Sequence, residues 1–283
     1  MKGIKSFRRT FLLIAALYLA CGLDPQRATI FLQSDVKEHA QLGFIMNCNS
    51  YQGELNRMTQ YKDKVAKGET NLTVGLYTYP CLMAADILLY QADLVPVGAD
   101  QKQHLEITRD IAERFNNLYG EVFTVPDGYI PKVGARIMSL QEPERKMSKS
   151  DENENGYIAL LDPPDVITRK IKRAITDSDT ENAIRVAPEK PGVSNLIGIY
   201  SVLTEKTTQQ VEEEFAGKGY GAFKPAVAET IVETLKPIQD KYQAYLSDKA
   251  QLEALMKDGA EKAAAIARRT LRKVYKKIGF YQI

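Results

Sequence analysis

A short lysine loop is the segment whose residue types point most directly to chemistry. It consists of Lys146, Met147, Ser148, Lys149 and Ser150, and a polar run follows it, so we expect an exposed, mobile loop. Two ammonium groups with small hydroxyls between them can follow the oxygens of a triphosphate while charge builds up on a departing pyrophosphate. The competing interpretation is a solvated charged loop, and five residues alone do not decide between the two.

A carboxylate in an apolar helical segment is the second candidate. Asp86 ends a helical face that contains Tyr79 and Met83, and it needs a hydrogen-bond donor because desolvating a carboxylate is costly. An indole N–H would serve, and a neighbouring arginine or lysine is the alternative. Val95 and Val97 project to one side of a predicted strand, so they either help to line a flat apolar pocket for a large ring or belong to the core.

The composition is that of an ordinary globular protein. The chain has 283 residues, of which 44% are hydrophobic and 26% charged, and its formal net charge is +2, so any site for a polyanion must be a local patch. Three cysteines without a Cys-x-x-Cys pair and only two histidines favour reduced thiols and offer no ligand set for a structural zinc. We therefore predict a metal-independent fold.

The N-terminal region has two interpretations. Basic residues precede an uncharged run over residues 11–22, which is typical of a secretory signal, although the run is too short to span a bilayer. A buried helix over residues 6–21, ended by Gly22 with Pro25 just beyond, fits the same residues. We favour the helix.

The predicted elements in the first half of the chain alternate between strands and helices. Residues 28–32 and 94–98 have the pattern of buried parallel strands. Helices are predicted from Pro80 to Tyr90 and over residues 104–118, where Ile107, Ile111 and Phe115 recur at a spacing of four and form one apolar face. Residues 74–77 are either a strand or a turn into the next helix. This order indicates an α/β fold with a parallel sheet.

Only helices are predicted beyond Pro164, which indicates a second, all-helical domain. Before one of these helices, Thr207 with Gln210 resembles a capping box. We therefore predict one domain over residues 1–162 and a mainly helical one over residues 163–283. In the last helix, residues 261–277 contain seven lysines and arginines against the single acid Glu261. Such a stripe suits a phosphate backbone or a solvated helix surface with cations near its C-terminus.

Three longer segments give the lysine loop its context. Residues 78–90, 95–104 and 134–139, together with the loop, resemble the bacterial tryptophanyl-tRNA synthetases, a class I family. The similarity extends over most of the chain. In the related tyrosine branch, glutamine typically stands three residues before the helix aspartate, where this chain has Met83. An apolar contact at that position favours indole over phenol.

The resemblance implies a role for each matching residue. The tryptophan side chain would be bound by Asp86, Tyr79, Met83, Val95 and Val97. ATP would be bound by Gly98, Ala99, Asp100, Gln101, Ile137, Lys146, Met147, Ser148, Lys149 and Ser150.

Three lysines would act on the phosphates. Lys146 and Lys149 would stabilise the leaving pyrophosphate, and Lys64, with Gln60, would face the same group or lie on a solvated helix. Ala99 departs from the family pattern, in which glutamate commonly stands there, so a side-chain contribution at that position is lost or moved to the backbone.

The resemblance also implies a reaction and partners. The reaction would be ATP-dependent activation of L-tryptophan, with Mg²⁺ accompanying ATP, followed by transfer to tRNA(Trp). The protein would be a cytoplasmic homodimer without a membrane partner. Its architecture would be a Rossmann-like catalytic domain, continued by the closing segment of the chain, and a helical region that binds the tRNA anticodon.

One family signature is not found in the sequence. A class I synthetase carries a His-Ile-Gly-His type motif, often Thr-Ile-Gly-Asn in the tryptophan branch, and none of the 18 glycines here is followed by His or Asn. We expect that the first strand–helix unit, with part of the adenine site and of the tryptophan pocket, is absent. Two hypotheses follow: a shortened form of an active synthetase, or a non-catalytic relative that binds tRNA or dimerises.

Overall fold

The described residues contain eleven α-helices and one small parallel sheet. The structure, a computed structural model, describes residues 2–98, 101–129, 136–179 and 184–281. The helices are α1 Lys2–Ala20, α2 Glu38–Cys48, α3 Gln52–Leu55, α4 Thr59–Ala66, α5 Val74–Leu88, α6 Lys102–Tyr119, α7 Pro164–Arg173, α8 Pro191–Thr204, α9 Thr208–Glu214, α10 Tyr220–Ser247 and α11 Lys249–Ile278. Strands β1 Leu94–Pro96 and β2 Asp127–Tyr129 pair in parallel.

The chain divides into two compact units. The first unit comprises Met1–Ala15, Leu23–Lys132 and Lys249–Ile283, and the second comprises Ala16–Gly22 and Val133–Asp248. This division differs from the predicted boundary near residue 162. The lysine loop lies in the second unit together with α7 to α10, and α11 lies in the first.

The core of the first unit is built around α5. Ala84 and Leu88 of this helix are fully buried, and α11 joins the same hydrophobic cluster through Ala267. Thr270 Oγ1, also on α11, donates a hydrogen bond of 2.7 Å to the Leu89 carbonyl. Packing between segments that are far apart in the chain therefore places α11 here, and no local pattern reports it.

Helix α5 begins earlier than the sequence pattern predicts. Residues 74–77 form its first turn, and Thr73 caps that turn by accepting a hydrogen bond from the Leu76 amide. Pro80 lies inside the helix and is buried, so the prediction that it starts the helix is wrong. The cap and the burial of the helix outweigh the hydrogen bond that proline removes.

The predicted parallel strand at residues 94–98 is confirmed. β1 covers its first three residues, and the Val97 amide continues the pairing by donating to the Tyr129 carbonyl at 3.1 Å. The partner strand β2 was not predicted because its Asp127 and Gly128 are poor strand formers and its three residues are exposed.

The predicted strand at residues 28–32 is wrong. These residues form irregular backbone, because no strand among the described residues lies beside them to complete a ladder. The segment packs on α11 instead: a Cβ built on Gly259 would lie 2.0 Å from the Ile30 carbonyl oxygen. Only glycine allows this approach.

Two helix predictions that rest on local signals are confirmed. Ile107, Ile111 and Phe115 are buried along one face of α6. At the start of α9, the Thr207 amide donates to Gln210 Oε1 at 2.8 Å and the Gln210 amide donates to Thr207 Oγ1 at 3.2 Å. This reciprocal pair is a capping box. Helix α10 runs unbroken past both of its prolines.

The core of the second unit joins the lysine-loop region to the helices that follow it. Leu140 belongs to one buried cluster with Ile167 and Ile171 of α7, Leu196 of α8 and Phe223 of α10. This packing explains why the units do not separate near residue 162.

Helix α1 covers most of the helix that was predicted over residues 6–21. It ends at Ala20, and Gly22 follows with φ of 99°, the left-handed conformation common at helix ends. Ala15, Ala16 and Leu19 are buried. Within the described part of the chain, no helix combines the length and apolarity needed to cross a membrane.

A substitution at Gly192, at the start of α8, tests the packing of the second unit. A Cβ there would lie 2.0 Å from the Ile175 carbonyl oxygen, whereas a Cβ on Gly198 of the same helix would meet nothing within 4 Å. We expect Gly192→Ala to lower the free energy of unfolding by about 3 kcal/mol and Gly198→Ala to raise it by about 0.5–1 kcal/mol. Urea unfolding followed by circular dichroism measures both, and equal stability of the two variants would contradict the described packing.

Candidate active site

Asp86 lies near the C-terminal end of α5 and accepts hydrogen bonds from two side chains. Its own side chain is 34% exposed. Gln33 Nε2 lies 2.8 Å from each carboxylate oxygen, and His39 Nδ1 lies 2.6 Å from Oδ1. The partners of the carboxylate in the structure are thus a glutamine and a histidine, not the arginine or lysine that the sequence suggested as an alternative.

His39 is held on its other side by Tyr90. The histidine is 4% exposed, and its Nε2 lies 2.8 Å from the Tyr90 hydroxyl. Burial, with the nearby charges of Asp86 and Glu38, raises the pKa of Tyr90 to about 12, so the phenol keeps its proton at neutral pH. With a neutral imidazole, Tyr90 donates to Nε2 and the ring proton on Nδ1 is donated to Asp86. Sequence reasoning missed Gln33, His39 and Tyr90 as parts of this cluster.

Tyr79 and Met83 lie on the same face of α5 as Asp86. The three residues are spaced by four and three positions, so they follow one another along the helix. All three are partly exposed, whereas the neighbouring Ala84 and Ala85 are fully buried. The Tyr79 hydroxyl contacts Nε2 of His104 on α6. A ring, a thioether and an accepting carboxylate along one open face suit a flat ligand that carries a donor.

The two valines predicted for the pocket lie on β1 and just after it. Val95 and Val97 are half-buried, and Leu94, which alternates with them, is 60% exposed. The strand therefore buries the side that carries the two valines, as strand geometry requires of alternate residues.

The turn after β1 leads directly into α6. The Gly98 carbonyl accepts a hydrogen bond of 2.9 Å from the Gln101 amide, and α6 begins at the next residue. Ala99 and Asp100, which were predicted to contribute to ATP binding, lie outside the described residues. Gly98 and Gln101 therefore stand at the carboxyl end of a parallel strand and the start of a helix, where α/β proteins commonly bind nucleotides.

Lys64 of α4 forms an ion pair. Its Nζ lies 2.9 Å from Glu69 Oε2, and the two side chains are 43% and 46% exposed. Gln60, one turn earlier, is exposed. A phosphate contact by Lys64 would therefore require that a phosphate oxygen replace Glu69 as its partner, a modest change for an exposed pair.

The lysine loop is paired with the segment that contains Ile137. The Met147 amide donates to the Ile137 carbonyl at 3.0 Å, and the Ser139 amide donates to the Arg145 carbonyl at 2.8 Å. Asn195 of α8 fixes the same segment, because its side chain accepts from the amide of Met138 at 2.9 Å and donates to the carbonyl of that residue at 2.8 Å.

The cationic side chains of the loop are directed outward from this support. Lys146, Ser148, Lys149 and Ser150 are exposed, whereas Met147 is partly buried and packs against the core of the second unit. Among the described residues, no carboxylate lies within ion-pair distance of either lysine. The loop therefore presents two exposed charges on an anchored base, which suits the stabilisation of charge that develops on a phosphate.

The two units divide the predicted site residues between them. The first unit contains Lys64, Tyr79, Met83, Asp86, Val95, Val97, Gly98 and Gln101, and the second contains Ile137 and the lysine loop.

The basic stripe of α11 is exposed. The side chains of Arg268, Arg269, Arg272, Lys273, Lys276 and Lys277 are all exposed. At its end, Arg272, Lys273 and Lys276 line a shallow hollow of about 510 Å³ together with Phe280 and Tyr281. Tyr281 is 91% exposed. Cations beside accessible rings suit a nucleic-acid backbone and its bases.

The class of the protein follows from a family comparison. The model of a family described as class I tRNA synthetases (W and Y) matches residues 3–236. A parallel sheet with a helix after its strand end and an anchored lysine loop are consistent with that match. The chain belongs to this class I tRNA synthetase family.

Relatives narrow the assignment to the tryptophan branch. The tryptophan–tRNA ligase of Clostridium tetani is 54% identical over 276 residues, which are 98% of this chain and 81% of that protein. The tryptophan–tRNA ligase of Listeria monocytogenes is 56% identical over 266 residues, 94% of this chain and 80% of that protein.

A solved structure of the tryptophan branch is also similar to this chain. The structure of tryptophanyl-tRNA synthetase from Campylobacter jejuni, complexed with ADP and tryptophan, is 35% identical with a TM-score of 0.85, and the match covers 99% of this chain and 86% of that one.

Proposed function

We propose that this protein activates L-tryptophan with ATP and transfers the product to tRNA(Trp). The observation that carries the proposal is the Asp86 carboxylate, which is held as an acceptor on the open Tyr79–Met83 face of α5. The family of the chain and its similarity to tryptophan–tRNA ligases support this substrate.

The tryptophan side chain binds along the face of α5. Asp86 accepts the indole N–H, and Tyr79, Met83, Val95 and Val97 contact the ring. A phenylalanine side chain would cover the remaining acceptor position of the carboxylate without filling it, and such a loss is what makes hydrogen-bonding pockets selective. Met83 offers no polar partner to the hydroxyl of tyrosine.

The activation step needs no protein nucleophile. The tryptophan carboxylate attacks the α-phosphorus of ATP, the bond to the bridging oxygen breaks, and pyrophosphate leaves with the electron pair. Lys146 and Lys149 neutralise the charge that develops on pyrophosphate, and Lys64, with Gln60, faces the same group. Mg²⁺ accompanies ATP.

The nucleoside part of ATP binds to two segments. Asp100 and Gln101 contact the ribose at the end of β1, next to Gly98 and Ala99. The backbone of Ile137 contacts adenine, and its pairing with the lysine loop links recognition of the base to the position of the lysines. Positioning of this kind supplies much of the rate enhancement in group-transfer enzymes.

The helical region binds the tRNA anticodon, and the basic end of α11 contacts the tRNA backbone. We expect combined Arg272→Ala, Lys273→Ala and Lys276→Ala substitutions to reduce the slope of log affinity against log salt by about 2, because each lost phosphate contact removes about 0.7–0.9. Filter binding of tRNA(Trp) at several salt concentrations measures this slope.

A matched control removes the same charge from the N-terminal half of the helix. Lys249→Ala, Lys257→Ala and Lys262→Ala together should leave the slope unchanged, since Lys257 and Lys262 face Glu261 and Asp258 on α11 itself. A similar decrease in both triple variants would show that general charge, not the end of α11, attracts tRNA.

The protein functions as a cytoplasmic homodimer in this proposal. Exposed apolar side chains of the first unit, among them Phe44 at 70% and Val74 at 76% exposure, offer surface for a subunit contact.

Charging of tRNA(Trp) with labelled tryptophan tests the function as a whole. The assay compares the 283-residue chain with an extended chain, in which a strand–helix unit that carries the Thr-Ile-Gly-Asn signature precedes residue 1. Tryptophanyl-tRNA formation supports the proposal. Binding of tRNA without charging by either chain would instead support the non-catalytic relative, the second hypothesis that the sequence suggested.

A further inference from the structure

The geometry around Asp86 points to a role for a residue outside the predicted site. We propose that His39 is a positioning residue that, together with Gln33 and Tyr90, holds the Asp86 carboxylate in one orientation as a hydrogen-bond acceptor, so that the site selects a ring with a donor. We call these four side chains the acceptor cluster. The inference rests on the proposed function, because it assumes that Asp86 meets the ring of the substrate.

The contacts leave a defined position on the carboxylate for a ligand. Oδ1 accepts from both His39 and Gln33, whereas Oδ2 accepts from Gln33 alone. Each carboxylate oxygen has about two lone-pair positions, so one position on Oδ2 remains. The carboxylate is 34% exposed, and its open part shares a helix face with Tyr79 and Met83.

Packing fixes the plane of the His39 ring. The ring centroid lies 5.5 Å from that of Tyr90 and 5.9 Å from that of Phe31, and the residue is 4% exposed. Water therefore has little access to the imidazole, and its two nitrogens are both used within the cluster. A ring held in this way keeps its Nδ1–H directed at Asp86. Supporting residues orient a metal ligand or a catalytic base in the same manner.

The direction of the hydrogen bonds makes the cluster selective. In the neutral imidazole, the Tyr90 hydroxyl donates to Nε2 and the Nδ1 proton is donated to Asp86. Asp86 thus accepts from two donors of the protein, and an ionised carboxylate has only acceptor positions left for a ligand. A substrate analogue that lacks a ring donor then leaves part of a desolvated carboxylate without a partner, and that loss is the basis of discrimination.

The first experiment measures discrimination by binding. The chain contains no tryptophan, so fluorescence excited at wavelengths beyond the absorption of its tyrosines comes only from the added tryptophan, and an analogue with sulfur in place of the indole N–H competes for the site. The double variant His39→Phe, Tyr90→Phe removes the donor without leaving a tyrosine hydroxyl unpaired. We expect the preference of this variant for tryptophan over the sulfur analogue to be roughly tenfold smaller than that of the unaltered chain.

A matched control separates positioning from stability. Thr270→Val removes another hydrogen bond near the end of α5, the one to the Leu89 carbonyl, without touching the acceptor cluster. It should lower the melting temperature and leave the preference for tryptophan unchanged. An equal loss of preference in this control and in the double variant would overturn the proposal.

The second experiment needs no ligand. Long-range ¹H–¹⁵N spectra of the chain, which has two histidines, report the tautomer of each imidazole. We expect His39 to be protonated on Nδ1, and Asp86→Ala to shift it towards the Nε2-protonated form because the acceptor is lost. A His39 that carries its proton on Nε2 and none on Nδ1 in the unaltered chain would overturn the proposal.

The two experiments separate failure of this inference from failure of the proposed function. If the chain binds tryptophan but the double variant keeps the full preference, His39 does not position Asp86. If His39 has the expected tautomer but neither this chain nor the extended chain binds tryptophan, the acceptor cluster exists and the tryptophan-binding role of Asp86 is wrong.

Discussion

Replacing Asp86 with alanine is expected to raise the tryptophan concentration needed for half-maximal activation by about a hundredfold, the usual scale for losing a hydrogen bond to a charged group. The half-saturating concentration of ATP should change little, because Asp86 faces the amino-acid ring in this account. The measurement is ATP–pyrophosphate exchange by the extended chain over a range of tryptophan concentrations.

Two controls make the Asp86 result specific. Asp110→Ala removes an exposed aspartate from α6 and should leave tryptophan saturation unchanged. The sulfur analogue should saturate the Asp86→Ala protein at a concentration no higher than for the unaltered protein, because it loses no hydrogen bond in the variant and no longer covers an unpaired carboxylate. An unchanged tryptophan requirement in Asp86→Ala would remove this residue from indole recognition.

Replacing both loop lysines is expected to have the other large effect. We expect Lys146→Ala, Lys149→Ala to slow pyrophosphate exchange about a thousandfold, since removal of a single transition-state contact commonly costs about a hundredfold or more. The half-saturating tryptophan concentration should remain within a small factor, because the lost interactions develop mainly in the transition state. Initial rates of exchange at saturating substrates measure this effect.

Arg145 provides a matched control for the loop. It precedes Lys146, but its guanidinium is paired with Glu142 at 2.8 Å, and hydrogen bonding and charge from Glu142 raise its pKa. Arg145→Ala should therefore reduce exchange only slightly. If it reduced exchange as much as the double lysine variant, the general positive charge of the loop, not the two lysines, would be responsible.

Local signals predicted the elements whose causes lie within a turn or a helix. The apolar spacing of Ile107, Ile111 and Phe115 gave the buried face of α6, and Thr207 with Gln210 gave the start of α9. In both cases the interacting groups are three or four residues apart, so the pattern and its structural cause coincide.

Contacts between distant segments were beyond the reach of these patterns. Gln33 and His39 lie 53 and 47 positions before Asp86, and nothing in the spacing joins them. The bond from Thr270 to the Leu89 carbonyl spans 181 positions. Residues 28–32 have the composition of a strand, but a strand also requires a neighbour, which local sequence does not report.

Only part of the candidate site was predicted from the sequence, for the same reason. The resemblance named Asp86 and the lysine loop, and the structure shows how each is supported: by His39 in the first unit, and by pairing with Ile137 and by Asn195 in the second. The supporting residues have no motif of their own. Their function depends on a geometry that only the folded chain provides.

Amino-acid-dependent ATP–pyrophosphate exchange by the extended chain, with tryptophan compared against tyrosine, tests the central claim most directly. The account predicts exchange with tryptophan and, at equal concentration, at least about a thousandfold less with tyrosine, because the site pairs Asp86 with an indole N–H and places Met83 where a phenol would need a polar partner. Comparable exchange with tyrosine, or none that depends on tryptophan, would contradict it.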